Sequence, residues 1–360
     1  MSSAQSVRSS LRLWGASLGG LAVTFLLAVA AWWVSRQVGA VKLPFGIPGK
    51  ALEYPLWAAL LGVLGNVLLR ALKMREYLQP GVHTELYLKI GLVLLGAGVD
   101  LTLIVSAARG AILQSLVMIS GVFFFCWWLA GRFGLDEKLR AVMASAVSIC
   151  GVSAAIAAAG SVLARKEQVT YITALVILVA LPLMVLSPLL ASALGLSQTV
   201  AGAWFGGNID TTAAVVGAGT LYGEQAQKIA TIVKSTQNTL IGLVAFLLAL
   251  YFASREAGAG TRPGVRVIWD RFPKFVLGFL LASVLYSMGV IDGGKGTTIE
   301  ALKNWAFTLA FVSMGLELSF SEFRSMGWRP VMVFLLVTLF NTFLALGVAW
   351  VVFTWLFPVG

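Results

Sequence analysis

The stretch Gly202–Gly219, GAWFGGNIDTTAAVVGAG, decides how the rest of the chain is interpreted. It is apolar enough to lie within a bilayer, yet it contains Asn208, Asp210 and two consecutive threonines. A carboxylate at the centre of a bilayer costs about 2.5–3.5 kcal/mol even on insertion scales, so a lipid-facing helix would not retain it. Irregular backbone at that depth is tolerated only where it is buried in protein or lines a cavity. The stretch therefore predicts a broken transmembrane segment at a transport site, with Gly206–Gly207 in the unwound backbone.

The composition of the whole chain is that of a membrane protein. The 360 residues are 59% hydrophobic and 11% charged, with a mean hydropathy of +0.91, whereas soluble domains are about 25% charged. The net charge of +11 does not indicate a nucleic-acid partner, because no basic run is interleaved with aromatic residues. Cys126 and Cys150 lie in apolar segments and indicate neither a disulfide nor a metal site.

Apolar windows of about 20 residues predict an all-α polytopic protein with about eleven transmembrane segments in one transporter domain, 1–360. Basic residues are more frequent on one set of loops, which predicts a cytoplasmic amino terminus, a cytoplasmic tail at 1–14 and a basic cytoplasmic loop at 254–274. This orientation assumes that every segment crosses, and a hairpin at the seventh would overturn it. The predicted segments are 15–34, 55–69, 87–108, 111–130, 142–164, 171–194, 202–222, 229–252, 275–288, 299–318 and 330–357.

Two internal similarities indicate inverted repeats with broken, crossing helices. Gly98–Thr102 (GVDLT) is matched by Gly315–Ser319 (GLELS), and Gly110 by Gly327 at the same spacing, which aligns an acid, a hydroxyl and two glycines. Ser153–Gly160 (SAAIAAAG) is matched more weakly by Thr212–Gly219 (TAAVVGAG). Transporters built from such repeats place the site where broken helices meet. The order of the two similarities does not fit a simple tandem repeat.

Asp210 is the strongest single candidate for chemistry. It is predicted to couple transport by binding a proton, Na⁺ or a cationic group; the alternative is an acid that caps a helix start. Gly207, Asn208, Thr211 and Thr212 lie beside it in the sequence and would bind substrate through neutral donors and acceptors.

The next span carries Lys234 and, one turn later, Gln237 and Asn238. Lys234 is predicted to hold an anionic substrate or to balance the charge of Asp210. The alternative is a lysine that reaches the membrane surface, as long side chains near helix ends do. The amide of Asn238 would hydrogen-bond the substrate or join two helices.

Three further candidates lie in the segment Ser148–Ser153 (SICGVS), namely Cys150, Gly151 and Ser153. If the helix breaks at Gly151, the N–H groups that begin its second half would bind an anion. Small residues that allow close helix packing explain the segment equally well.

Asp100 and Glu317, the acids of the stronger internal similarity, are candidate ligands for the coupling ion. Acids near the ends of helices are also tolerated as structural groups close to water, and both lie late in their predicted spans.

Several motifs together resemble the YeiH-type family of proposed sulfate exporters. The resemblance implies the inverted-repeat fold of the sodium/proton antiporters and bile-acid symporters, with crossing broken helices. It also implies a secondary transporter, frequently a homodimer. The motifs are Leu61–Asn66, Lys89–Gly96, Ser148–Ile156, Gly206–Val216, Ile232–Lys234, Phe272–Phe279 and Met314–Glu317.

One motif departs from the family pattern. Where the family has Gly-Thr-Ile-His-Asp, this chain has Gly207-Asn-Ile-Asp-Thr211. The position of a titratable histidine is therefore occupied by Asp210, and the acid position by Thr211. A histidine changes charge near neutral pH, whereas an unperturbed carboxylate does not.

The sequence as a whole predicts a secondary active transporter of a small anion, of the sulfate or organic sulfonate or carboxylate class, in a bacterial inner membrane. Coupling to H⁺ or Na⁺ is expected, with no cofactor. The alternative is a cation/proton antiporter in which Asp210 binds the ion. Neither a phosphate-binding loop nor a zinc-protease or serine-hydrolase motif occurs, and His83 is the single histidine, so an enzyme is not predicted.

Overall fold

The structure is a computed structural model that describes residues 2–39, 54–255, 274–291, 293–318 and 327–359. Within these ranges the regular secondary structure is helical, which confirms an all-α polytopic membrane protein. Among the described residues, six helices are long and apolar enough to cross a bilayer, and two of the eleven predicted crossings are hairpins, as described below. In chain order the helices are α1 (Ser2–Gly39), α2 (Tyr54–Ala71), α3 (Arg75–Leu78), α4 (Thr84–Gly96), α5 (Leu101–Arg132), α6 (Glu137–Ser148), α7 (Val152–Val162), α8 (Lys166–Ala193), α9 (Gln198–Asn208), α10 (Thr212–Tyr222), α11 (Glu224–Thr239), α12 (Ile241–Arg255), α13 (Phe275–Ser287), α14 (Gly293–Glu317) and α15 (Arg329–Val351).

One predicted boundary was wrong. The third and fourth segments were separated at Arg109, but Arg109 lies inside α5. The helix begins earlier because Asp100 caps it: the carboxylate accepts a hydrogen bond from the amide of Thr102 at 2.7 Å. The predicted tail 1–14 is helical from Ser2 onward, as part of α1. Most of the predicted basic loop, 256–273, lies outside the described residues.

The described residues divide into two compact units. The first comprises Met1–Gly98 and Met288–Leu318. In it α14 packs against α2 and α4, and a methyl group added at Gly315 would lie 2.6 Å from the carbonyl oxygen of Ala59, so α2 and α14 are in backbone contact. The last carbonyls of α14 accept hydrogen bonds from Arg70 and Arg75 at 3.0 and 3.1 Å. These arginines neutralise the negative end of that helix.

The second unit comprises Val99–Ser287 and Ser319–Gly360, and it contains the stretch from which the sequence analysis began. Helices α11 and α12 are separated only by Leu240 and together form a candidate membrane span, Glu224–Phe252. We refer to this pair as the α11–α12 rod. It is the element against which the two broken segments pack.

The first broken segment is a hairpin, not a crossing helix. We call it hairpin 1; it consists of α6, the turn Ile149–Gly151 and α7. Asp136, immediately before α6, accepts a hydrogen bond of 2.8 Å from Gln168, which follows α7. The two ends of the segment therefore lie together, and the predicted crossing at 142–164 is corrected to a re-entrant hairpin. Gly151 allows the reversal because its φ is +67°.

The second broken segment, hairpin 2, consists of α9, the turn Ile209–Thr211 and α10. The hydroxyl of Tyr222, at the end of α10, donates to the carbonyl of Leu196, just before α9. The side chain of Gln198 accepts from the amide of Gln225 at the start of α11. Both ends of hairpin 2 thus lie at the start of the α11–α12 rod, which settles that this segment turns back rather than crosses.

The two hairpins enter from opposite ends of the same rod. The base of hairpin 2 contacts the start of the rod, whereas Glu137, at the base of hairpin 1, forms a 2.7 Å ion pair with Arg255 at its end. A hairpin followed by a long helix therefore occurs twice in tandem in the sequence and with opposite orientations in space. The weaker internal similarity therefore fits a tandem repeat, since it lies on α7 and α10, which are equivalent half-helices of 11 residues each.

Candidate functional site

The tips of the two hairpins meet beside the middle of the α11–α12 rod. A methyl group added at Gly151 would lie 3.4 Å from the carbonyl oxygen of Asp210 and 3.4 Å from the methyl group of Thr211. The same methyl group would collide with Val176 of α8. Only a residue without a side chain fits at this contact, so the position of Gly151 fixes how closely the two turns approach.

Three polar residues within two adjacent turns of α11 hold both tips. The ammonium group of Lys234 donates to the carbonyl oxygen of Ile149 and, at 3.0 Å, to the side-chain oxygen of Gln237. Gln237 in turn donates to the carbonyl oxygen of Ser148 at 2.9 Å, and Asn238 donates to the hydroxyl of Thr212 at 3.2 Å. Lys234 and Asn238, both predicted from the sequence as site residues, are therefore brought to the same place.

The carboxyl ends of both first half-helices have side-chain partners. Lys234 and Gln237 bind the last carbonyls of α6, as described above. For α9, the amide of Asn341 donates to the carbonyl oxygen of Asn208 at 2.8 Å, and Thr342 donates to the side-chain oxygen of Asn208 at 2.9 Å. The negative ends of these half-helices are thus covered, whereas the positive amino ends of α7 and α10 remain directed at the meeting point.

Asp210 is buried in the turn of hairpin 2 without a hydrogen-bond partner. Its side chain is 1% exposed, and neither carboxylate oxygen has a partner among the described residues. Lys234, also 1% exposed, interacts with it electrostatically, but no hydrogen bond joins the two groups. A buried carboxylate is rarely left in this condition, because unpaired buried charges cost several kcal/mol.

Other buried polar atoms of the second unit also lack partners within the described ranges. Over 90% of buried polar groups normally have a hydrogen-bond partner. The unpartnered groups around the tips are hydroxyl oxygens, amide oxygens and one amide nitrogen, so together they could donate to and accept from a bound ligand. These atoms are Gln114 Oε1, Ser115 Oγ, Ser145 Oγ, Ser148 Oγ, Asn208 Nδ2, Thr231 Oγ1, Ser235 Oγ, Asn238 Oδ1, Thr338 Oγ1 and Asn341 Oδ1.

The remaining residues predicted for the turn of hairpin 2 fall into two groups. Thr211 caps α10 by accepting a hydrogen bond from the amide of Ala214, and Thr212 accepts from Asn238. The prediction that Gly206 and Gly207 lie in unwound backbone was wrong, since α9 continues through Asn208. Both glycines are instead close-packing positions, Gly206 against Val233 of α11 and Gly207 against Gln114 of α5.

Hairpin 1 contributes its residues unequally. Cys150 is buried and interacts electrostatically with Lys234, and Gly151 forms the contact between the tips. Ser153, the second residue of α7, is exposed on the surface of the described structure.

The two acids of the stronger internal similarity occupy other places. Asp100 is an exposed helix cap, and hydrogen bonds from the hydroxyl and amide of Thr102 hold the pKa of its carboxyl below its usual range. Glu317, the last residue of α14, is half-buried in the first unit beside Thr84 at the start of α4. Gly110 lies inside α5 whereas its counterpart Gly327 precedes α15, so the stronger similarity does not mark equivalent elements.

Two groups of the site were not identified from the sequence. Asn341 and Thr342 of α15 bind Asn208, and Gln114 of α5 donates to the carbonyl of Ala203 at 2.7 Å. Each is a polar residue in an otherwise apolar helix, which was the available signal. That signal does not say which neighbouring helix such a residue faces.

The fold and this buried polar site define a class: a polytopic helical membrane protein whose second unit is built around two opposed re-entrant hairpins. The family model described as Conserved hypothetical protein 698 matches residues 19–335, and the chain belongs to this family. No solved structure matches this chain.

The relatives are bacterial proteins described as UPF0324 membrane proteins. One from Rhizobium meliloti is 32% identical over 339 residues, which cover 92% of this chain and 91% of that protein. One from Rhodopirellula baltica is 35% identical over 355 residues, which cover 94% of this chain and 63% of that protein. A third, from Nitratidesulfovibrio vulgaris, is 36% identical, with 95% of this chain and 60% of that protein covered. The chain thus spans less than two thirds of the length of the latter two.

Proposed function

We propose that this protein is a secondary active transporter of a small anion, with the anion bound where the tips of hairpins 1 and 2 meet. The observation that carries the proposal is Lys234, a fully buried ammonium group on the face of α11 where the two turns converge. A charged residue buried at membrane depth is expected to serve a transport pathway. The substrate class is a sulfate-like or organic sulfonate or carboxylate anion.

The electrostatics of the backbone support an anion at this point. The amino ends of α7 and α10 each contribute roughly half a positive charge to the meeting point. The opposing carboxyl ends of α6 and α9 have their last carbonyls bound by Gln237, Lys234 and Asn341. Toward described residues Lys234 uses two of its three N–H donors, so one is open to a ligand in this part of the structure.

The arrangement of the hairpins supports alternating access. The α11–α12 rod is long enough to cross the bilayer, and the tips meet beside Lys234–Ile241, near the middle of the candidate span Glu224–Phe252. Each hairpin separates this point from one end of the rod. Movement of one hairpin at a time would expose the site to one side at a time, as inverted-repeat transporters do around a fixed midplane site.

Asp210 is the group proposed to couple transport to a proton or to Na⁺. The proposed location is the bacterial inner membrane, in keeping with the bacterial relatives. Membership of the YeiH-type exporters and a homodimeric state are parts of the same proposal. The replacement of the family's histidine by Asp210 means that coupling in this chain would rely on a carboxylate.

A cation/proton antiporter is the second candidate, favoured by one observation. Both oxygens of Asp210 and the side-chain oxygen of Asn238 lack partners among described residues, and hard cations such as Na⁺ are bound by oxygen atoms. In this case Asp210 would be the ion ligand, and Lys234 would serve only to hold hairpin 1.

Thermal unfolding of the purified protein distinguishes the two candidates. A ligand that binds the folded state raises the apparent Tm by mass action. The probes are formate, acetate, methanesulfonate and sulfate as potassium salts, and NaCl against KCl, each at pH 6 and pH 8. The same panel is applied to Lys234→Ala and Asp210→Asn, with Asp100→Asn as a matched control, since asparagine caps a helix as well as aspartate does.

The anion proposal requires that at least one anion stabilises the wild type and Asp100→Asn, and that Lys234→Ala loses this shift. If Na⁺ alone stabilises the protein and Asp210→Asn abolishes that effect, the protein is a cation antiporter. A wild type that no anion stabilises at either pH contradicts the anion proposal.

A further inference from the structure

We propose that the site binds one proton together with each monovalent anion, so that Asp210 and the anion are alternative counter-charges of Lys234 and the cargo is electroneutral. This inference rests on the proposed function and deepens it. It names the substrate class, a small monoanion such as a carboxylate or sulfonate, and the stoichiometry of one proton. The carrying observation is the buried ammonium of Lys234 beside the carboxylate of Asp210, which accepts no hydrogen bond from any described residue.

Charge balance is the first step. With Lys234 protonated and Asp210 ionised, the tips carry no net charge. Adding a monoanion alone would leave one negative charge buried near the middle of the candidate span, which is strongly unfavourable. Adding the anion with a proton on Asp210 restores neutrality. The same balance predicts that access changes from one side of the membrane to the other without net charge at the site, whether the site is loaded or empty.

The lack of partners around Asp210 makes it the group that accepts the proton. A carboxylate fixed by several donors would stay ionised, because hydrogen bonds to the charged form favour it. Neither oxygen of Asp210 accepts such a bond from a described residue, whereas Asp136, at the base of hairpin 1, accepts two from Leu139 and Gln168. Protonation of Asp210 therefore breaks no hydrogen bond among the described residues, and the bound anion takes over the role of its charge beside Lys234.

The groups that act on this pair come from three elements. Lys234 lies on α11, Cys126 on α5 interacts electrostatically with Asp210, and Cys150 in the turn of hairpin 1 interacts with Lys234. On α15 the neighbouring side chains are the neutral Asn341 and Thr342. A thiol carries no charge at neutral pH, so Asp210 and Lys234 set the charge of the site.

The test is transport by the full-length protein in liposomes, with formate and methanesulfonate as monovalent probes and sulfate as a divalent one. Uptake is measured with an inwardly directed pH gradient at zero potential, and with a potassium diffusion potential at equal pH. Wild-type protein is expected to accumulate the monoanions with the pH gradient and to ignore the potential. The apparent Kd of the monoanions is expected to rise about tenfold per pH unit in the alkaline range, as one coupled proton requires.

Asp210→Asn separates coupling from binding. Its empty site carries the charge of Lys234 alone, so a monoanion binds without a proton. Binding is expected to become independent of pH, and uptake to respond to the potential and not to the pH gradient. Asp100→Asn, the same substitution at the exposed cap of α5, is expected to behave as the wild type does. Binding by isothermal titration shows that Asp210→Asn is folded whatever its transport rate.

Failure of this inference is distinct from failure of the proposed function. Wild-type monoanion uptake that follows the potential, or Asp210→Asn with unchanged pH dependence, overturns the coupling and leaves an anion transporter. Transport of sulfate but of neither monoanion overturns the proposal that the site binds one monovalent anion together with one proton. Absence of anion binding by the wild type, with Na⁺ binding through Asp210, overturns the proposed function itself.

Discussion

Lys234 has two physical tasks at the scale of the residue. It closes the carboxyl end of α6 through the carbonyl of Ile149, and it balances the charge of Asp210. The two tasks differ in what a substitution removes. Loss of the hydrogen bond costs about 1–3 kcal/mol for a charged donor, whereas an uncompensated buried carboxylate adds more.

A double-mutant cycle measures the second task. Lys234→Met is expected to lower the free energy of unfolding by about 3–5 kcal/mol, because it leaves Asp210 buried without a counter-charge. The double variant Lys234→Met with Asp210→Asn is expected to recover a large part of that loss. The measurement is the apparent Tm in detergent at pH 7.5, with Asp210→Asn as the second single variant. Strict additivity of the two single effects would show that the charges do not interact.

The residues of the site differ in how far the sequence could predict them. Asp210 and Lys234 were identified because a charge in an apolar segment is expensive wherever it points. The glycine pair before Asp210 was misassigned, since glycine permits both unwinding and close packing. Gly206 and Gly207 turn out to serve packing against α11 and α5, a choice that depends on what lies opposite and that no local pattern contains.

At the scale of the element, hairpin 2 depends on the closeness of α9 to α11. A methyl group added at Gly202 would lie 2.5 Å from the carbonyl oxygen of Ala226 and 3.0 Å from its Cα, so Gly202→Ala must push the two helices apart. We expect a loss of about 1–3 kcal/mol in stability and weaker anion binding. Gly347→Ala on α15 is the matched control, since nothing lies within 4 Å of its added methyl group. Equal Tm values for the two variants would contradict this packing.

The base of hairpin 1 supplies a prediction about pH. Partial burial acts to raise the pKa of Asp136, but hydrogen bonds from Gln168 and the amide of Leu139, with the charge of Arg165, outweigh it and lower the pKa. A lowered folded-state pKa stabilises the fold above the unfolded value of about 3.9 and loses this effect as pH falls through the folded value.

Asp136→Ala is therefore expected to lower the apparent Tm at pH 7 by the loss of the α6 cap, worth about 1 kcal/mol. The difference from wild type should shrink as the pH falls below 4, where the wild-type carboxyl also becomes neutral. Thermal unfolding in detergent between pH 7 and pH 3.5 provides the check. A difference that grows toward low pH would mean that the pKa of Asp136 is raised, not lowered.

The reversal within each hairpin could not be predicted from the sequence. A window of about 20 apolar residues has the same hydropathy whether its halves continue or fold back, so 142–164 was indistinguishable from a crossing helix. The reversal depends on the contact of Asp136 with Gln168, which are 32 residues apart. The breaks themselves were predictable, because Gly151 and Asp210 both disfavour a continuous helix.

At the scale of the whole molecule, the hairpins decide on which side of the membrane the charged loops of the second unit lie. Because hairpin 1 does not cross, its two ends, the end of α5 and the end of the α11–α12 rod share one side. By the positive-inside rule we expect this side to be cytoplasmic. Lys228 lies at the opposite end, beside the base of hairpin 2. The basic residues described on the first side are Arg132, Lys138, Arg140, Arg165, Lys166 and Arg255.

Labelling of single engineered cysteines with a membrane-impermeant maleimide tests this arrangement. Lys138→Cys and Lys166→Cys should both react from the cytoplasmic side, and Glu224→Cys from the other side. The wild type is the control, because Cys126 and Cys150 are both buried. Labelling of the first two positions from opposite sides would mean that the segment between them crosses the membrane.

The fold class and the two breaks were thus predictable from composition and from misplaced polar residues. An inverted repeat was predicted from two similarities, but the one taken as stronger does not mark equivalent elements: GVDLT and GLELS share residue types, whereas Asp100 begins a helix and Glu317 ends one. The weaker pair, on α7 and α10, marks equivalent half-helices. In this chain the small residues shared by α7 and α10 mark the equivalent elements, whereas the shared acids at helix ends do not.

The shortness of the half-helices has a consequence for biosynthesis. Helices α9 and α10 have 11 residues each, which is about 16 Å of helix against a hydrocarbon core of about 30 Å. Neither half can be inserted by the translocon as a span of its own, and Asp210 leaves the ribosome before Lys234 does. Hairpin 2 must therefore take its place after α11 has been inserted. A nascent chain that stops short of α11 contains the acid without its base, so we expect hairpin 2 to be unstable within the membrane until α11 is present.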